Sequence, residues 1–374
     1  MKENPQISTH NDGFPSKYNV CRNEGKPMIF KEMSDNQRRV YIDTAQLYEA
    51  YMAAFHKSRA YRGGMHWKKA KGREYLFRSR DRYGYGKSLG PRSAETEKIL
   101  KEFRKNKQQL KERLANLKNR MKEQARFCKA ALIQRVPRLA ADTLRLLDQQ
   151  KLLDRNVLIV GTNALYAYEA AAGVFVDASI TATEDLDILW DVRSRLSLVA
   201  DNDIDQTGLL DILRKADRSF ELSGPRSFRA INRDGYMVDL IKSEPKQILK
   251  QERTQMGGPD DLRAAEIPNL HWLISSPKIN QVVIGEDGFP AAMSAPDPRA
   301  FALHKLWLSK QDNREPVKKK RDYDQAIAVA NLIVKYLPQY KFKAAELRMF
   351  PKALLTEAEK SMSDADLPSG FGIE

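Results

Sequence analysis

Near the middle of the chain, residues 183–190 read TEDLDILW, with Asp185 and Asp187 one residue apart inside an apolar run. In a β-strand, residues two apart point to the same face, so the two carboxylates project together while Leu186 and Ile188 pack on the other side. Adjacent carboxylates repel each other, and both stay ionised more easily when they share a cation. Their oxygens suit a hard divalent cation such as Mg²⁺. For an isolated motif, two solvated aspartates on an exposed strand face are the simpler interpretation.

Two further features argue against that simpler interpretation. Asp239 stands in another apolar run, MVDLI, from which an adjacent strand could place a third acid beside the pair. Upstream, LIVGTN puts Gly161, Thr162 and Asn163 between a buried strand and a helix. Such a junction offers backbone N–H groups, the positive end of a helix and a hydroxyl to a phosphate. A phosphate-binding turn, an acid pair and a later acid together predict phosphoryl or nucleotidyl transfer with bound metal.

This order of motifs resembles the DNA polymerase β-like nucleotidyltransferase superfamily, in which a Gly-Ser or Gly-Gly turn precedes an acid pair and a third acid. Residues 156 to about 340 carry the resemblance, which is closest to bacterial nucleotidyltransferase-like proteins related to the AbiEii/MenT toxins. The resemblance implies that Mg²⁺ or Mn²⁺ is bound by three catalytic acids: Asp185, Asp187 and Asp239. It also implies that the NTP phosphates are bound by the turn: Gly161, Thr162 and Asn163.

The C-terminal part, from Pro298 onwards, looks like the lysine helix and the later basic-then-acidic helix start of that toxin branch. The resemblance implies that Lys305 binds the triphosphate as a point charge. Two acids, Asp322 and Asp324, follow the basic run KKKR, and we assign the nucleotide-binding role to Asp324. A lysine that extends to solvent and an acid that stabilises a helix start are the alternative interpretations.

The net charge of +15 is concentrated in one segment. Residues 54–135 hold 25 Lys and Arg against 7 Asp and Glu, so the rest of the chain is slightly acidic. Basic and aromatic residues alternate between Tyr61 and Ser93, and this composition suits phosphates and unpaired bases. We therefore predict binding of RNA, with tRNA as an abundant polyanion, by a basic segment: Arg62, Trp67, Lys68, Lys69, Arg73, Arg78 and Arg80. A solvated helix face with a small aromatic core, or a coiled-coil arm for another protein, are the alternatives.

The local patterns predict an α/β (α+β) fold. Its nucleotidyltransferase core has a short mixed sheet and flanking helices, between a helix-rich N-terminal region and a C-terminal helical region. The predicted units are a loosely ordered tail (1–35), a basic helical N-terminal region with an Arg- and aromatic-rich hairpin and a long helix (36–150), the catalytic core (151–295) and the C-terminal helices (296–374). Helices are predicted over Asp43–His56, Ala94–Leu132 and Pro137–Gln150, and the C-terminal third is predicted to be mostly helical.

The combined prediction is a metal-dependent enzyme that moves an NMP from an NTP, with ATP among the candidates, to an acceptor hydroxyl of RNA. The resemblance adds a toxin-like role with a neutralising partner protein. Transfer to a protein or a small molecule, or a catalytically silent nucleic-acid-binding protein on the same fold, are the alternatives. The absence of a long apolar run and of a secretory signal, with only two distant cysteines, predicts a cytoplasmic protein without a membrane partner.

Overall fold

The structure, a computed structural model, describes residues 30–80, 85–193, 208–245 and 253–363. It confirms the predicted α/β class, with short antiparallel and mixed sheets flanked by helices. Within these ranges, no helix combines the length and the apolar character needed to cross a membrane.

The helices are distributed along the whole described chain: α1 Asp35–Arg59, α2 Ala94–Ala130, α3 Arg138–Gln149, α4 Leu165–Ala172, α5 Ala178–Thr181, α6 Leu209–Ala216, α7 His271–Ser275, α8 Pro298–Ser309, α9 Pro316–Tyr336 and α10 Lys352–Ser363. The strands are short: β1 Phe30–Glu32, β2 Gly64–Ala70, β3 Arg73–Ser79, β4 Gly86–Pro91, β5 Val157–Val160, β6 Val174–Val176, β7 Asp185–Trp190, β8 Glu221–Leu222, β9 Arg229–Ile231, β10 Met237–Ser243, β11 Ala265–Ile267, β12 Lys278–Ile284 and β13 Pro290–Pro296.

The central sheet has the strand order β5-β7-β10-β9-β8, and β11 pairs with β10. β7 and β10 are parallel, whereas β5 runs antiparallel to β7 and β9 antiparallel to β10. All four residues of β5 are buried, as are Leu186, Ile188, Val238 and Leu240 on the neighbouring strands. Since side chains alternate along a strand, this buried face leaves the other face of β7 and β10 for polar residues.

The N-terminal region differs from the prediction at its start. Of the predicted tail, residues 1–29 lie outside the described residues, while Phe30–Glu32 form β1, antiparallel to β6. The first helix begins at Asp35 rather than after Asp43, because Ser34 and Gln37 form a capping box at that earlier position. The basic segment folds as a three-stranded antiparallel sheet in the order β2-β3-β4.

The predicted C-terminal helical region is present, but the hairpin that precedes it and the starts of two of its helices were not predicted. The hairpin β12–β13, whose strands KINQVVI and PAAMSAP pair antiparallel, precedes α8 and was passed over by the sequence analysis. α9 begins at Pro316. Proline suits the first position of a helix because its φ is already helical. The N–H that proline lacks would have no acceptor within the helix at that position. The last helix begins at Lys352, and residues 344–346 form only a 3₁₀ turn.

The N-terminal helices are joined to the central unit by apolar packing. Leu47 of α1 and Leu117 of α2 form one buried cluster with Val282 of β12. Tyr48 of α1 also donates a 2.7 Å hydrogen bond to Asp148 of α3. The helices α1 and α2 of the basic N-terminal region are therefore anchored to the same elements that support the central sheet.

Leu117→Ala is expected to lower the free energy of unfolding by about 2–4 kcal/mol, since it leaves a cavity between α1, α2 and β12. Urea unfolding followed by circular dichroism measures the change. Lys118→Ala, on the exposed face of the same helix, is the control and should change stability by about 0.5 kcal/mol or less. Equal losses in the two variants would contradict this packing.

Candidate active site

The acid pair lies on β7, where the strand alternation separates it from the core. Leu186 and Ile188 are fully buried, while Asp185 and Asp187 are partly buried on the opposite face. Thr183 donates a hydrogen bond to Oδ1 of Asp185, which orients that carboxylate. The strand geometry predicted for these residues is therefore present.

Asp239 lies beside the pair on the parallel strand β10. Its Cα is the register partner of that of Asp187, and Met237 is the partner of Asp185. The residue as a whole is only 6% exposed, between the fully buried Val238 and Leu240. The structure thus brings the three predicted acids to adjacent positions on two strands.

Gly161 lies directly against Asp187 of the acid pair. β5 pairs with β7 so that Val160 is opposite Asp187, and the chain turns at Gly161 with φ of +64°. A Cβ at this position would lie 2.0 Å from Oδ2 of Asp187 and would require that carboxylate to move. Glycine is therefore needed both for the positive φ and for the close approach of the carboxylate.

Thr162 and Asn163 form the 3₁₀ turn that leads into α4. Asn163 donates a 2.6 Å hydrogen bond from Nδ2 to the carbonyl of Asp185, so the turn is tied to the acid strand. Its Oδ1 is buried and has no partner among the described residues. The turn therefore contains a buried amide oxygen for which the described part of the chain supplies no donor.

Gln325 of α9 is a site residue that the sequence analysis missed. It is fully buried and donates hydrogen bonds to Oγ1 of Thr162 (3.1 Å) and to the carbonyl of Ile180 (2.9 Å). Because Gln325 occupies an acceptor position of the hydroxyl, the Thr162 O–H remains able to donate elsewhere. Nothing local in the sequence marks this glutamine, since the contact spans 163 positions along the chain.

Burial and the neighbouring acids make the ionised form of Asp187 unfavourable. Burial raises the pKa of Asp187 to about 7, and the charges of Asp185 and Asp239 act in the same direction. Lys305 and Arg229 oppose this shift. A cation bound by these carboxylates would favour the ionised form of Asp187 further.

Lys305 of α8 is buried, and it pairs with Asp322 rather than with Asp324. Its Nζ lies 2.8 Å from Oδ1 of Asp322, and Arg314 holds Oδ2 of the same carboxylate at 2.8 Å. Burial lowers the pKa of Lys305, and the ion pair with Asp322 opposes that effect. Asp324 instead forms a partly exposed pair with Lys320 on the other side of α9. The geometry therefore favours Asp322 over our choice of Asp324 as the acid connected to the lysine.

Asp239 is held by Arg229, a residue that the sequence analysis did not single out. Nε and Nη2 of Arg229 donate to the two carboxylate oxygens at 2.7 and 2.8 Å. In the described ranges, no group of three or more His, Cys, Asp or Glu side chains is arranged to hold a metal ion. The donor set of Asp185 and Asp187 nevertheless fits a hard divalent cation, because both are carboxylates on one face of β7.

The predicted nucleic-acid-binding residues differ in exposure. Five of them are exposed: Arg62, Lys68, Lys69, Arg73 and Arg80. Trp67 is half-buried and lies under Arg92, at 5.2 Å from the guanidinium carbon to the ring centroid. Arg78 donates to the carbonyls of Gly64 and Ala60 and stacks on Phe103 of α2. Arg78 thus fastens the small sheet to the long helix.

Gly161→Ala is expected to lower the free energy of unfolding by about 2–3 kcal/mol and to weaken Mn²⁺ binding, because the added methyl group displaces the Asp187 carboxylate. Gly235→Ala is the matched control, since Gly235 also has a positive φ, +84°, but an added Cβ would meet nothing within 4 Å. Urea unfolding and Mn²⁺ titration measure both effects. The close approach would be unimportant if the two alanine variants behaved alike.

Asp322→Asn is expected to lower the free energy of unfolding by about 3–5 kcal/mol, because it leaves Lys305 buried without its counter-ion. Asp324→Asn on the same helix should cost about 1 kcal/mol or less, since its partner is exposed. Thermal and urea unfolding of the two variants give the comparison. A larger loss for Asp324→Asn would contradict the pairing.

Comparison with known proteins agrees with this geometry. A family model described as Nucleotidyltransferase matches residues 138–350, which is more than half of the chain and includes the turn, all three acids and Lys305. A search of the curated proteins finds no match, and a search of the solved structures finds none either. Because the family model matches more than half of the chain, the chain belongs to this nucleotidyltransferase family and is an enzyme that transfers nucleotides.

Proposed function

We propose that the enzyme moves an NMP from an NTP to a hydroxyl of RNA, in a reaction that depends on a divalent cation. The observation that carries this proposal is the close approach of Asp187 to Gly161, with Asp185 on the same face of β7 and Asp239 in register on the next strand. Carboxylates beside a phosphate-binding turn are the groups that metal-dependent nucleotidyl transfer requires.

Asp185 and Asp187 would hold the cation, Mg²⁺ or Mn²⁺, and Asp239 would join them after separating from Arg229. When bound, the cation supplies positive charge to the triphosphate and lowers the pKa of the attacking hydroxyl. The residues themselves hold the reacting groups in place, which removes much of the entropic barrier to their meeting.

In the proposed reaction, the acceptor oxygen forms a bond to the α-phosphorus of the NTP. The bond from that phosphorus to the bridging oxygen of the β-phosphate breaks, and pyrophosphate leaves with the electron pair. The hydroxyl proton passes to a carboxylate, for which Asp239 is the candidate because it flanks Asp187. Atoms and charges balance without any further reactant.

The β- and γ-phosphates would lie against Gly161, Thr162 and Asn163. Lys305 adds a positive charge near Asp187 that extends the site toward α8. A direct role of Asp324 in nucleotide binding stays a prediction. We assign to Asp322 the different task of holding Lys305 and Arg314 in position.

RNA is the proposed acceptor because of the small basic sheet. Lys68 pairs with Tyr75 across β2 and β3, on the face opposite the buried Leu76, and its Nζ lies 3.8 Å from the ring centroid of Phe77. A face that combines basic and aromatic side chains suits phosphates and unpaired bases. A small-molecule acceptor would not require such a face.

The closer relation to the AbiEii/MenT toxins, with a toxin role, a neutralising partner and a cytoplasmic location, is part of the same proposal. Its support is the pairing of Lys305 on α8 with an acid of α9, which agrees with the lysine helix and acidic helix start of that branch. Identification of the modified RNA would show whether the acceptor is one whose modification stops translation.

Labelling with each of the four α-³²P NTPs, Mg²⁺ or Mn²⁺ and total bacterial RNA tests the proposal. Label is expected in RNA with wild-type protein and to fall at least about 100-fold with Asp185→Asn, because this change removes a carboxylate charge that would hold the cation. Asp211→Asn, on the exposed face of α6, is the matched control and should label normally. Replacing Lys68 and Arg73 with Ala should weaken labelling of RNA through loss of phosphate contacts.

Each other result has a distinct meaning. Label in a protein band would replace RNA by a protein acceptor. RNA binding without any label would favour a silent binding protein, and undiminished labelling by Asp185→Asn would remove the acid pair from the mechanism.

A further inference from the structure

The two oxygens of Asp239 are both occupied by one guanidinium. Arg229 lies directly opposite Asp239 in the antiparallel pair β9–β10, which brings the two side chains to the same face. The two hydrogen bonds of 2.7 and 2.8 Å have the parallel, forked arrangement that makes Arg–carboxylate pairs strong. This pair is therefore a competitor for any other ligand of Asp239.

The same guanidinium also acts on the acid pair. Asp239 is the register partner of Asp187, so the guanidinium bound to Asp239 lies beside the strand that carries the acid pair. Arg229 thus places a positive charge next to the carboxylates that a divalent cation would share. The fork uses two of the about four lone-pair positions of the Asp239 carboxylate. Its positive charge lies at 2.7 and 2.8 Å from the two oxygens and repels a cation brought to the same group.

Arg229 is able to leave this position. Its side chain is 36% exposed, whereas Asp239 is 9% exposed on the same measure, so the arginine is the partner with access to solvent. The long side chain can turn outward without disturbing the strand, while the buried carboxylate stays fixed by β10.

We propose that Arg229 is a latch on the third acid: it holds Asp239 in the resting protein and must release it before a divalent cation can be bound by Asp185, Asp187 and Asp239 together. The inference rests on the proposed metal site. It makes Arg229 a positioning residue, whose release is linked to metal binding, and not a catalytic one. The opposing view is a permanent cross-strand ion pair that keeps Asp239 in place.

Direct Mn²⁺ binding, followed by the loss of the free-ion electron paramagnetic resonance signal, tests the latch without any turnover. Arg229→Gln is expected to bind Mn²⁺ about 10-fold or more tightly than wild type, because the competing charge-assisted hydrogen bonds are removed. Arg229→Lys keeps the charge but not the fork, so an intermediate increase is expected. The Arg229→Lys variant also provides the test if Arg229→Gln folds poorly.

Arg233→Gln is the matched control for a simple loss of positive charge. Arg233 follows β9 and is 79% exposed, with only a 3.8 Å contact to Asp234. The Arg233→Gln variant should bind Mn²⁺ with the same affinity as wild type. An equal rise in this variant would make the effect one of general charge and would overturn the latch.

Different outcomes would contradict the proposed latch and the proposed metal site. Mn²⁺ binding that Asp187→Asn abolishes, but that Arg229→Gln leaves unchanged or weakens, would overturn the latch alone and make Arg229 a permanent support of Asp239. No Mn²⁺ binding by wild type or by any variant would overturn the latch together with the metal dependence of the proposed function.

Discussion

The parallel register of β7 and β10 is the constraint on which the site depends. It aligns Asp187 with Asp239, and a shift of one residue would direct these carboxylates into the face now occupied by Leu186 and Val238. Burial of the apolar face is therefore what selects the register. The acids share the other face as a geometric consequence of the same pairing.

This arrangement carries an electrostatic cost that nearby cations offset. Asp187 lies against Gly161 in surroundings that disfavour its charge, and Lys305 and Arg229 act against that effect. Lys305 is itself buried and depends on Asp322, so the balance of charge extends from the sheet to α8 and α9. Strain of this kind is typical of sites whose full complement of charge includes a bound substrate or ion.

The helices around the sheet have a positional role as well as a packing role. Gln325 of α9 connects the turn at Thr162 to the helix that carries Asp322 one turn earlier. At the opposite end of the chain, α1 packs on β12 together with α2 and holds the basic N-terminal region against the central sheet. A change in the position of α9 would therefore alter both the turn and the lysine.

The sequence by itself determined the α/β class, the turn at Gly161 and the strand with Asp185 and Asp187, because strand alternation, glycine conformation and local apolar runs act over a few residues. The start of α1 was also readable from the sequence, because the capping box of Ser34 and Gln37 is a local signal that the prediction overlooked. The β12–β13 hairpin and the choice between Asp322 and Asp324 were beyond the sequence, because a strand's pairing partner and an ion pair depend on which groups meet. Only the tertiary structure decided that Arg229 holds Asp239 and that Gln325 holds Thr162. Hydrogen bonds between strands, or between a helix and a distant turn, are set by packing, and leave no periodic signal in the chain.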